Sequence, residues 1–148
     1  MEDSGIGFAP IKIDSGKNIH VISGVSGQLL KVDDKLNRLG EVSKPFPALI
    51  TSSTIVKEKW IGVWVERDLR QARMAAFDLN EAWMDGDTKA ELRSNKLDSI
   101  IHPSSSIWSQ ILDSEPTALS NVDDSICFST INRGIYRIND ESKEIWRA

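Results

Sequence analysis

The sequence predicts a mainly β fold: about three four-stranded antiparallel units in a single domain over residues 1–148, with a short helical insertion. Three observations predict it. Short apolar stretches are separated throughout by turn-forming Gly, Asp, Asn and Ser residues. One order of strands and turns recurs three times. The run Lys59-Trp60-Ile61-Gly62-Val63-Trp64-Val65 is apolar at both alternating sets of positions, as a strand covered on both faces must be.

The first unit spans about residues 7–43, with strands expected at 10–13, 18–22 and 28–32, a turn at Asp33-Asp34-Lys35 and a fourth strand over 37–42. Its loop Ser23-Gly24-Val25-Ser26-Gly27 has the residues a hairpin with positive φ needs. The second unit, about 46–95, opens at Pro47-Ala48-Leu49-Ile50-Thr51. Its second strand places Trp60, Gly62 and Trp64 on one face and Ile61, Val63 and Val65 on the other; a loop over 66–73 leads to a third strand over 74–77, closed by Asp78. The third unit, about 115–148, opens at Pro116-Thr117-Ala118-Leu119. It continues through 125–129, 135–139, a polar turn at 140–142 and Glu144-Ile145-Trp146.

Between the second and third units lies an insertion, about 88–114. Within it Ile107, Trp108, Ile111 and Leu112 follow a run of serines at spacings that predict a short amphipathic helix. Residues 90–93 are the alternative outer strand of the second unit.

Asp33, Asp78 and Asn139 close the third strands, 45 and 61 residues apart. The first interval is that of a propeller blade, about 40 to 45 residues, and the second exceeds it by roughly the length of the insertion. The run Gly134-Ile135-Tyr136-Arg137-Ile138-Asn139, followed by a polar turn and Ile145-Trp146, resembles the blade repeat of quinoprotein-like β-propellers. Gly27-Gln28-Leu29-Leu30-Lys31-Val32-Asp33 fits the same pattern without the Trp, and the second unit fits at Phe77-Asp78 and Trp83. The Gly-His and Trp-Asp pairs of the WD40 type are missing. The resemblance implies an architecture of blades. It does not extend to the quinone site of the enzymes in that group, because Cys127 is the only cysteine and no calcium ligand set is visible, so no cofactor is expected. Propellers have four to eight blades. Three blades cannot close a ring, so the chain is a fragment of a larger propeller, packs its sheets in some other way, or is completed by a protein partner or a second copy; the last is the expectation, with the flank carrying Trp146 and the flank of the first unit both in need of cover.

Composition narrows the function classes. A net charge of −4 supplies no field that attracts a polyanion, so nucleic acid is not an expected partner. No stretch approaches the roughly 20 apolar residues of a membrane span, and MEDSGIGFAP has neither basic nor apolar leader character; a soluble, cytoplasmic protein is expected. Cys127 reads as a small buried hydrophobe, consistent with a reducing compartment. His20 and His102 belong to no metal-ligand spacing, and no nucleophile elbow, phosphate loop or dinucleotide fingerprint occurs. The pairs Asp33/Asp34 and Asp123/Asp124 read as turn residues, and the five tryptophans as core between sheets.

The loop over 66–73 carries Arg67, Arg70 and Arg73, predicted to share an exposed hairpin tip that contacts a partner; Trp146 is the fourth predicted partner-binding residue. The expected function is a non-enzymatic protein-interaction module or scaffold. The alternative is an enzyme, hydrolase or lactonase-like, with a site on the propeller face marked by clustered Asp, Glu or His.

Overall fold

The structure, a computed structural model, describes residues 5–67, 70–94, 102–131 and 133–148. It is mainly β, and the described residues form three antiparallel sheets, each a simple meander. The first holds β1 (Pro10–Ser15), β2 (His20–Gly24) and β3 (Leu29–Val32). The second holds β4 (Leu49–Val56), β5 (Lys59–Glu66), β6 (Gln71–Asp78) and β7 (Trp108–Leu112). The third runs β8 (Pro116–Val122), β9 (Ser125–Thr130), β10 (Gly134–Ile138) and β11 (Glu144–Arg147). Among the described residues one helix is present, α1 (Lys89–Ser94), and none is long and apolar enough to cross a membrane.

The three residues that close the third strands do the same work in each sheet. The Asp33 carboxylate accepts the backbone N–H groups of Lys35 and Asn37, at 2.9 and 2.8 Å. Asp78 accepts the N–H of Asn80 at 2.9 Å, and the Asn139 side chain accepts those of Glu141 and Lys143, both at 2.9 Å. A short side-chain acceptor two residues before an unpaired N–H folds the chain back without help from the core.

The second sheet is covered on both faces, as its alternation predicts. Trp60, Trp64, Ala75 and Phe77 pack with Val21, Leu29, Phe46 and Trp83 on the side of the first sheet. Ile61, Val63, Met74 and Ala76 pack with Ile126, Phe128 and Ile138 of the third. Trp60 touches Trp64, Phe77 and Trp83 with ring centroids 5.7–5.8 Å apart. Gly62 makes this possible, because a Cβ there would stand 2.4 Å from the Trp60 ring. The first strands of the three sheets approach one another, β4 lying against both β1 and β8.

Four expectations are corrected. Residues 107–112 are no helix: Trp108–Leu112 form β7, paired with β6 from Ala72↔Leu112 to Ala76↔Trp108. The apolar spacing fits either structure, and the free edge of β6 decides, since pairing satisfies backbone groups that a one-turn helix would leave to water. The second sheet's fourth strand therefore comes from within the stretch 88–114 expected as an insertion. Residues 90–93, the alternative outer strand, fall in α1. The fourth strand expected at 37–42 reduces to two isolated bridges, Val32↔Arg38 and Leu29↔Ser43, so the first sheet has three strands.

Candidate functional site

The predicted arginine cluster divides. Arg67 and Arg70 flank the β5–β6 turn and are exposed. They border a groove of about 200 Å³ with Gln71, Leu112, Ser114 and Glu115, and Arg67 Nη2 lies 3.6 Å from Glu115 Oε1. Arg73, by contrast, is not at the tip. It is the third residue of β6, opposite Trp64, and is 6% exposed. Its guanidinium sits 4.9 Å over the Phe46 ring, and Nη1 is buried without a hydrogen-bond partner. Burial lowers its pKa. Strand β6 begins at Gln71, three residues earlier than the sequence suggests, and β alternation then turns Arg73 toward the first sheet.

Trp146 lies on β11, at one edge of the third sheet. The row Ser120–Cys127–Arg137–Trp146 crosses all four strands on the face turned away from the second sheet, because the intervening Leu119, Phe128, Tyr136 and Ile138 point toward it. The next row is Ala118–Ser129–Ile135. On this outer face Trp146 is 41% and Ile135 46% exposed, with Val122 and Ile145 exposed nearby. Cys127 belongs to it and is half-buried, which corrects the expectation of a core cysteine. Its single cation, Arg137, is held by Ser125 Oγ, which accepts from Nε at 2.6 Å.

The opposite flank of the molecule differs. The outward residues Ile22, Leu30 and Val32 of the first sheet are buried beneath Ile6, Phe8 and Val42, leaving Ile11 and Ile13 of β1 exposed at one side. Among the described residues, apolar cover is thus present on one terminal sheet and lacking on the other.

Two features were not legible in the sequence. A cleft of about 340 Å³ opens between β7 and the pair β10–β11, bordered by Gln110, Thr130, Tyr136, Glu144 and Arg147. Thr130 Oγ1 is buried there without a partner, and Arg147 Nε donates to Glu144 Oε1 at 2.8 Å, which raises the Arg147 pKa. Its walls come from positions far apart in the chain, and no local pattern marks them. The other is Asp14 of β1, whose buried carboxylate accepts Trp60 Nε1 at 2.8 Å and Ser53 Oγ at 2.5 Å and pairs with Lys12 Nζ at 3.1 Å. These contacts tie β1 to β4 and β5 where the first strands meet.

The histidines are held locally. His20 Nε2 lies 2.7 Å from Asp34 Oδ1, and His102 Nδ1 contacts Ser109 Oγ. Lys31 is buried with its ammonium 4.7 Å over the Trp83 ring, donating to the carbonyls of Leu79 and Glu81; burial lowers its pKa against the attraction of Asp78 and Glu81. Asp140 in the β10–β11 turn joins the third sheet to the second. It accepts from Lys59 Nζ at 2.6 Å, an ion pair that is the main cause of its lowered pKa, and its carbonyl accepts Trp108 Nε1 at 2.8 Å. Among the described residues no three His, Cys, Asp or Glu side chains gather as metal ligands would. A scan against family models returns no match, and neither does a search of curated proteins.

Proposed function

We propose that this chain is a non-enzymatic protein-interaction module built from propeller-like blades, and that it offers the outer face of its third sheet, centred on Trp146, to a partner chain. The convergence of β1, β4 and β8 supports the blade reading, because the first strands of radial blades crowd the axis while their last strands splay apart. The observation that carries the proposal is this outer face, which no described residue covers: a large tryptophan and two isoleucines half in water beside a single tethered arginine. Apolar surface depleted of charge marks the centre of an interface. The alternative, a hydrolase or lactonase-like site on the axis, draws less support, since Asp14, the buried carboxylate nearest the meeting strands, is engaged by Trp60, Ser53 and Lys12.

The test is chemical cross-linking of the chain in complexes purified from its source, read by mass spectrometry. Lys143, exposed beside the face, should link to a second polypeptide, and Trp146→Glu should abolish that link. Links confined to one polypeptide refute the proposal.

A further inference from the structure

We infer that the partner on this face is a second copy of the chain, packed sheet against sheet about a twofold axis. The inference rests on the interaction-module reading above and adds the identity and geometry of the partner. Head-to-tail closure of a ring would seat the third sheet of one copy on the first sheet of the next. That seat is already taken by Ile6, Phe8 and Val42, which bury Ile22, Leu30 and Val32. The third sheet must then meet something other than the first sheet of a neighbour.

Charge along the strands points to its own kind. Strand β9 runs from Ser125 to Thr130, so the β8–β9 turn with Asp123 and Asp124 lies at one end of the sheet and the β9–β10 turn with Arg133 at the other. The β10–β11 turn returns to the first end and adds Glu141 and Lys143 there. Asp123, Asp124 and Arg133 are exposed and make no ion pair among the described residues. The acidic end and the arginine end are separated by uncharged rows and the tethered Arg137. A twofold axis in the plane of the interface and perpendicular to the strands sets each acidic turn against the partner copy's Arg133. Patterns that map onto themselves with opposite sign in this way are what an isologous interface requires. Its size follows from the sheet. Four strands about 4.8 Å apart and about 20 Å long present roughly 400 Å² of flat area per copy, on the order of 800–1,000 Å² for the pair. That lies below the roughly 1,200 Å² at which stable interfaces begin and in the range of weak, transient ones, so a dissociation constant in the micromolar range or weaker is expected.

Sedimentation equilibrium of the full chain between about 1 and about 200 µM decides it. The wild type should pass from monomer to dimer across that range. Arg133→Glu and Asp124→Lys should each weaken dimerisation about tenfold, because each turns two equivalent attractions into repulsions. Lysine is tolerated at the positive φ of position 124, as Lys57 already adopts φ 55° in this chain. An equimolar mixture of the two variants should regain wild-type association, since both contacts become attractive in the mixed pair. Ala118→Glu, on the exposed outer row, provides a third weakening variant independent of the turns. A wild type that stays monomeric to about 200 µM, or a mixture no stronger than its separate variants, overturns the inference. A monomeric wild type that still forms the Trp146-dependent cross-link to a different protein removes the second copy and leaves the interaction-module reading standing. A monomer lacking that cross-link removes both.

Discussion

Alanine at position 62 puts a methyl group where the Trp60 indole lies. The new Cβ would stand 2.4 Å from Cη2 and 2.6 Å from Cζ3 of that ring, well inside van der Waals contact. The ring has nowhere simple to go. It is wedged among Trp64, Phe77 and Trp83, and its Nε1 is fixed at 2.8 Å to the buried Asp14 carboxylate. Overpacking a tight core costs about 1–3 kcal/mol, and the rigidity of the displaced group places Gly62→Ala at about 2–3 kcal/mol. Backbone preference works the other way, because alanine is favoured over glycine in a strand by roughly 0.5–1 kcal/mol. Any loss must therefore come from the contact. For a chain of 148 residues about 2–4 °C of Tm accompanies each kcal/mol, so calorimetry should show a fall of about 5–10 °C. Urea unfolding followed by tryptophan fluorescence should show a lower midpoint at unchanged slope. Trp60→Phe removes the atoms that clash, so Gly62→Ala should cost much less in that background. A Gly62→Ala chain that melts within about 1 °C of the wild type refutes the packing argument.

Arg73→Met should hold or raise stability, by up to about 1 kcal/mol. It fills the buried site with an apolar side chain and removes a guanidinium whose Nη1 has no partner, at the loss of the contact over the Phe46 ring; a clear drop in urea midpoint would show that the charge is compensated. Arg67→Ala combined with Arg70→Ala should leave the midpoint within about 0.5 kcal/mol, because both side chains are exposed and the Glu115 pair is long and solvated. Unchanged partner affinity in that double variant would remove these residues from the interface. Asp140 sets a pH dependence. Its carboxyl pKa is lowered in the folded state chiefly by Lys59, so its contribution is fully present above the usual carboxylate range and fades as pH falls through the folded pKa. Asp140→Asn should accordingly be less stable than wild type at pH 7 by a margin that narrows by pH 3; an equal margin at both contradicts the ion-pair origin.

Local chemistry explains which parts of this molecule the sequence discloses. Turn acceptors such as Asp33, Asp78 and Asn139 act within four residues of themselves, so their role is visible without the fold. The two-sided burial of β5 is equally plain, since strand alternation assigns each of its residues to one face or the other. By itself, then, the sequence determined the mainly β class, the four strands of the third unit and the covered position of the second sheet.

The tertiary structure decided the rest, wherever a partner distant in sequence settled a local ambiguity. Residues 108–112 carry apolar spacing compatible with helix or strand, and the open edge of β6 chose the strand. Arg73 reads as one more charge in a basic loop until the register with Trp64 turns it inward. Cys127 reads as core and Trp146 as a residue for a partner to cover; nothing among the described residues packs on their side of the third sheet as Ile6 and Phe8 pack on the first. Alternation can assign a residue to a face, but only the arrangement of sheets determines whether that face meets protein or water.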